Sequence, residues 1–223
     1  MKRTWCLGEL TTHFLWCMED LLDVYEQPYD PLHPQVCVDE RPCQLIGDVL
    51  APWPMAPGYP KREHYEYKRK GVCNAFIAFQ PDTGYRFVQI RTRRTKEDYA
   101  AFMSDLAQQY ADAHFIRVVQ DNLNTHTPGS FYAAFPAKEA FSLAHRFDVH
   151  YTPKKASWLN MAEIELSALA KQCLDRRIGD EATLRREVCS WADQRNQERT
   201  TVDWQFTKTK AREKFRKFYP HSS

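Results

Sequence analysis

With 223 residues, the chain is long enough for one sizeable core, or one core with a small appendage. A hydrophobic fraction of 43% and an aromatic fraction of 13% exclude an intrinsically disordered chain, and no apolar run reaches the length of a membrane span. The net charge of +2 decides nothing by itself, so partner chemistry has to be read from where the charges cluster.

The N-terminus, Met1 to Cys6, is basic and lacks the apolar core of a signal peptide, so a cytoplasmic location is expected. Seven scattered cysteines, including Cys6, form no C-x-x-C pair and no zinc-finger spacing with histidine. They are expected to be reduced, structural thiols. Leu10, Phe14, Leu15, Met18, Leu21, Leu22 and Tyr25 recur at helical spacing, predicting a helix over about 9–26 that the prolines up to Pro34 terminate.

Gln35 to Glu40 reads as a short apolar strand ending in carboxylates, and Cys43 to Leu50 as a second strand. Residues 51–60 hold four prolines and a glycine, which predicts an extended loop. Asn74–Gln80 and Tyr85–Arg91 flank a Pro-Asp-Thr-Gly turn and predict a hairpin. Thr95 is placed to cap a helix over about 96–111, with Tyr99, Phe102, Met103, Leu106 and Tyr110 on one face.

Phe115 to Val119 is the next predicted strand. It delivers Asp121-Asn122-Leu123-Asn124-Thr125-His126 to its carboxyl end, where open α/β sheets usually place their chemistry. An α-rich link precedes a strand over Phe147–Tyr151. Ser157 to Glu163 then enters a helix with Ala162, Leu166, Leu169 and Cys173 as its apolar stripe. A further helix from Asp180 or Thr183 to about Asn196 and a basic helix over about 208–218 complete the chain. The alternation predicts an α/β mixed sheet flanked by helices.

Three carboxylates stand out: Asp39 and Asp121 at strand ends, and Glu163 early in a helix. Carboxylates gathered in one cleft repel and need protons or cations to coexist. Mg²⁺ takes hard oxygen ligands, and two such ions about 4 Å apart can activate a nucleophile and stabilise the leaving oxygen of a phosphodiester. Spacing does not single out this trio among the 29 acidic residues. Glu40 and Glu165 compete, and helical periodicity does not choose between Glu163 and Glu165, which lie about 200° apart on a helix.

The blocks Cys37-Val38-Asp39-Glu40, Val119 to His126 and Tyr151 to Glu163 resemble the three signatures of bacterial insertion-sequence transposases in the mariner-like DDE superfamily. Gln172 to Arg177 and the Trp204-x-Phe206 pair also resemble that family, and the likeness runs from about residue 5 to 220. The resemblance implies an RNase H-like mixed five-stranded sheet flanked by helices, with a C-terminal helical extension. It divides the chain into a linker helix and Pro-rich approach (1–34), a DDE catalytic domain (35–175) and C-terminal helices with a basic tail (176–223).

By the same resemblance, Asp39, Asp121 and Glu163 bind catalytic Mg²⁺ or Mn²⁺, as two ions. The Leu-Asn-x-x-Glu pattern selects Glu163. The implied reaction is divalent-metal-dependent DNA strand cleavage and strand transfer, with double-stranded DNA as partner, both transposon ends and target, and TA as the implied target dinucleotide. A homodimer and nucleoid association are further expectations. Family members carry an N-terminal helix-turn-helix that recognises inverted repeats. Nothing before residue 35 has room for it, so a separately encoded part is the expected source.

Supporting residues carry paired readings. His126 contacts DNA, orients the loop after Asp121, or is a structural histidine. Asn122 and Asn124 cap the following helix or position the cleft. Asn160 supports Glu163 or bonds locally at the helix start. Lys154 and Lys155 are placed for phosphate contact or form a solvated face, and Trp158 is expected in the core rather than as a stacking platform. The basic run Lys208 to Lys217 is read as a backbone grip or a solvated face. Two rival functions remain: an idle transposase remnant that binds DNA or a full-length transposase, and an RNase H-fold nuclease of other purpose.

Overall fold

The computed structural model describes residues 10–60, 62 and 64–219. Cys6 and the basic N-terminal hexamer lie outside the described residues. Helix α1 (Thr12–Glu26) starts where Thr11 accepts the Phe14 N–H and ends ahead of the proline segment. Five strands follow: β1 (Gln35–Asp48), β2 (Tyr67–Gln80), β3 (Tyr85–Arg91), β4 (Ile116–Gln120) and β5 (Phe147–Tyr151). They form one sheet in the order β3-β2-β1-β4-β5, with β1, β2 and β3 antiparallel in succession and β4 and β5 parallel to β1. This is the mixed five-stranded sheet that the resemblance implies.

The predicted break between two strands near residue 41 does not occur. β1 runs on to Asp48, paired with β2 from Cys37↔Phe79 to Asp48↔Tyr67 with one register shift between Leu45 and Ile46. Its pairing with β4 stops at Cys37, so Pro42 falls where β1 has a free edge and its missing N–H is tolerated. The β2–β3 hairpin turns at Gly84 (φ +69°), where a Cβ would also meet the backbone of Arg199 and Thr200 within 2.9 Å.

Helix α2 (Lys96–Gln109) is closed by a reciprocal capping box between Thr95 and Asp98. Helices α3 (Gly129–Ala134) and α4 (Ala137–Ala144) lie with α2 on one face of the sheet, burying Val36, Val38, Phe76, Phe102, Val118 and Phe131 together. The opposite face is covered by α1, α5 (Ala162–Gln172), α6 (Glu181–Gln197) and α7 (Lys208–Lys214). Cys37, Ile77 and Phe79 from the strands meet Leu21, Leu22, Leu166, Leu169, Trp191 and Phe215 there. Fully burying one such side chain contributes about 1.5–3 kcal/mol.

The boundaries at 34 and 175 mark no separate cores, because α1, α6 and α7 share this cluster with the sheet. The basic C-terminal run is also placed differently from a free phosphate grip. Lys208 pairs with Asp23 and with Glu26, Arg212 binds Glu19 through Nε and Nη2, and Lys214 sits 5.7 Å over the Phe206 ring. α1 neutralises part of this charge from within the fold. Trp158 is 40% exposed and meets Phe206 edge-on at 5.5 Å, so it is not a core residue.

Candidate active site

Strand pleating decides what each acid faces. Along β1, Cys37 points to the α5 side and Val38 to the α2 side, so Asp39 and Glu40 project to opposite faces. Asp121 follows the last residue of β4, at its carboxyl end, one strand away. Glu163 sits in the first turn of α5, where the helix N-terminus favours negative charge.

Asp39 feels all three neighbouring acids. Burial, then the charge of Glu163, with smaller contributions from Glu40 and Asp121, push its carboxyl up to about 7. The Glu40 N–H, donated to Asp39 Oδ1 at 2.8 Å, opposes this. Among the described residues, no group of three His, Cys, Asp or Glu side chains stands close enough to hold a metal ion as placed. The donor chemistry nonetheless suits a hard divalent cation: carboxylate oxygens, one of them raised by burial first and by its neighbours' charge second, both of which a bound cation would offset.

Asn160 joins the two elements that carry Asp39 and Glu163. Its buried side chain donates to the Val38 carbonyl at 2.9 Å and accepts the Ala162 N–H at 3.0 Å. Its own carbonyl accepts the Glu163 N–H at 3.1 Å. Asn160 thus bonds locally at the helix start and also ties that turn to β1. Tyr25 of α1 steadies the same turn by donating to the Leu159 carbonyl at 2.8 Å.

His126 is buried between two carboxylates. Nδ1 bonds Asp121 Oδ1, and Nε2 lies 3.1 Å from Glu40 Oε2. Burial disfavours its charge, but the contacts with Asp121 and Glu40 outweigh it and raise the imidazole to about 9. The Tyr99 ring lies 4.7 Å away, and the His126 carbonyl accepts from Gln120 and Tyr151. At 1% exposure, His126 has no surface to offer DNA, and its ring nitrogens face Asp121 and Glu40 instead.

Glu165 is removed from the cleft. It is fully buried and bound by Arg86 of β3 and by Arg195 of α6, whose Nη2 lies 3.0 Å from Oε1. Arg86 spends its other donors on the carbonyls of Gly84 and Thr200. Long-range ion pairing thus occupies both oxygens of Glu165, whereas Glu163 lies beside Asp39 and adds its charge there. Tyr99, Gln120, Arg86 and Arg195 are not candidate site residues by sequence, Tyr99 being read only as part of an apolar helix face. The signal for Tyr99 was present, since a tyrosine on an apolar helix face needs a buried partner for its hydroxyl.

A groove of about 730 Å³ opens from Asp121 between α1 and the segment after β5. Asn122, Lys154 and Lys155 line it, all exposed. The helix after Asn124 has Pro128 at its start and no side-chain cap, so neither Asn122 nor Asn124 caps it. Lys155 holds a left-handed backbone (φ +64°), turning the chain toward Ser157.

No curated protein sequence matches the chain. Among solved structures, the Mos1 transposase paired-end complex with left transposon end superposes with a TM-score of 0.58 at 12% identity, over 86% of this chain and 58% of that one. The Mos1 mariner paired-end complex with Mn gives 0.58 at 16% identity, over 86% and 59%. The Mos1 strand transfer complex gives 0.57 at 13% identity, over 86% and 58%. The chain thus spans less than three fifths of these three Mos1 chains, and at these identities the likeness is one of fold, RNase H-like in both. The family model described as DDE superfamily endonuclease matches residues 34–185, well over half of the sequence, and the chain belongs to that family.

Proposed function

We propose that the chain is the catalytic domain of a DNA transposase, which cleaves strands at the ends of an insertion sequence and joins them to target DNA. The observation that carries this reading is the placement of Asp39 on β1, Asp121 at the carboxyl end of the adjacent strand β4 and Glu163 in the first turn of α5, which Asn160 ties to β1. Membership in an endonuclease family and a fold shared with Mos1 strand transfer complexes support the same reaction class.

Asp39, Asp121 and Glu163 would hold Mg²⁺ or Mn²⁺, as two ions. When bound, the metal supplies Lewis-acid stabilisation of the scissile phosphate and activation of the attacking oxygen. The remaining work falls to the chain itself. Asn160 fixes Asp39 relative to Glu163, and His126 fixes Asp121. Lys154 and Lys155 meet backbone phosphates in the groove that opens at Asp121. Recognition of the end sequences falls to a separately encoded helix-turn-helix part. A second copy of the chain completes the assembly, supported by the exposed apolar side chains Trp53, Met55, Tyr59 and Tyr65 on the β1–β2 connection.

The decisive experiment incubates the chain with Mn²⁺ or Mg²⁺ and supercoiled DNA, beside Asp39→Asn and Asp121→Asn. Nicking by the native chain and its loss in both variants is the expected result. Equal nicking by all three proteins removes the proposed site, and DNA binding without nicking by the native chain favours the idle remnant.

A further inference from the structure

Glu40 and His126 are a buried pair on the α2 face of the sheet, opposite Asp39. Glu40 has a side chain only 4% exposed, and its Oε2 has no hydrogen bond; its close polar neighbour is His126 Nε2 at 3.1 Å. The guanidinium of Arg94 reaches the other oxygen only at 3.9 Å. His126, itself 1% exposed, uses its second nitrogen on Asp121 Oδ1. Its backbone is pinned by Gln120 at 3.1 Å and Tyr151 at 3.0 Å, and its ring lies against Tyr99. The imidazole therefore has little freedom to turn, and it claims one named oxygen of Asp121.

We propose that Glu40 and His126 act together as a positioning pair that commits Asp121 Oδ1 to the α2 face and leaves Oδ2 for the divalent cation. Glu40 is then not a ligand, although it adjoins Asp39 in sequence. It acts through His126, as outer partners of metal ligands commonly do. This rests on the metal reading of Asp39, Asp121 and Glu163.

The test is Mn²⁺ affinity, read by the electron paramagnetic resonance of free and bound ion on the whole chain without DNA. Asp39→Asn and Asp121→Asn serve as controls for the site. The expected result is roughly tenfold weaker Mn²⁺ binding in Glu40→Gln, with the circular dichroism spectrum unchanged. His126→Ala weakens binding at least as much, and the double variant is no weaker than His126→Ala alone. His126→Asn, whose amide nitrogen falls near the position of Nδ1, recovers part of the loss. Native affinity in Glu40→Gln overturns the pairing. So do additive losses in the double variant, which would make Glu40 act independently of His126. Should Glu40→Gln fail to fold, equal affinities in His126→Asn and His126→Ala overturn it without that variant. A native chain that binds no Mn²⁺ sinks the metal reading and this inference with it. Native binding lost in Asp39→Asn but kept in Glu40→Gln sinks the inference alone.

Discussion

The side chain of Asn160 donates to the carbonyl of Val38 and so ties the first turn of α5 to the strand residue that precedes Asp39. One buried amide thereby links the elements that carry Asp39 and Glu163. Asn160→Ala leaves the Val38 carbonyl and the Ala162 N–H without their partner. We expect a loss of roughly 1–3 kcal/mol in urea unfolding, and a fall of about 10- to 100-fold in nicking. Asn160→Asp can still accept from Ala162 but cannot donate to Val38 when ionised, so it should not restore activity. Native nicking by Asn160→Ala would show that the clamp does not matter.

The two glutamates of α5 should separate stability from activity. Glu165→Ala strands Arg86 and Arg195 in the interior and is expected to cost roughly 3–5 kcal/mol. Glu163→Gln should change stability by about 1 kcal/mol or less, because it removes repulsion with Asp39 rather than an ion pair. Nicking should vanish in Glu163→Gln. Chemical denaturation and the plasmid assay, run on both variants, check the pair together, and the reverse pattern would reassign the third acid to Glu165.

Stability of the metal-free chain should fall as pH rises. The Asp39 carboxyl is raised to about 7 from 3.8, so between those values the folded state binds a proton that the unfolded state has lost. Stability from this proton is present at low pH and is lost as pH climbs through 7. His126, raised to about 9 from 6.5, adds a loss of the same sign between those two values. Asp39→Asn should flatten the first limb and raise metal-free stability at pH 8, by an amount on the order of 1–3 kcal/mol. Saturating Mn²⁺ should flatten that limb in the native chain. Thermal melts across pH 4–9 provide the measurement, and a first limb unchanged in Asp39→Asn would remove the assignment.

Charge in the groove and charge in the tail should behave differently. Replacing Lys154 and Lys155 by alanine should weaken DNA binding and reduce the slope of log affinity against log salt by roughly 2. Replacing Lys208 and Arg212 breaks ion pairs with Asp23, Glu26 and Glu19, so its main effect should be on stability. These pairs are surface-exposed and screened by solvent, so the expected effect is small. Filter binding at several salt concentrations separates the two. An unchanged slope in the groove variant returns Lys154 and Lys155 to a solvated surface.

The sequence by itself determined the elements and several of their ends. The apolar period of α1 and α5, the turn before Gly84, the Thr95 cap and the Asp180 cap are local signals, and each is met in the structure. Placing Asp121 just past the end of a strand was legible for the same reason, but Asp39, read as a strand end, lies inside β1, which runs on to Asp48 because β2 pairs with it from Cys37 onward.

Only the tertiary structure decided which charges are neutralised and by what. Glu165 is taken out of the cleft by Arg86, 79 residues away, and by Arg195 on another helix. Tail cations are met by acids of α1, some 180 residues earlier in the chain. Glu40 leaves the face of Asp39 through strand pleating, a local rule, but its contact with His126 exists only because β4 lies beside β1. Periodicity fixes which way a side chain points from its own element. The free energy of a buried charge depends on what stands opposite it, and residues distant in the chain supply that.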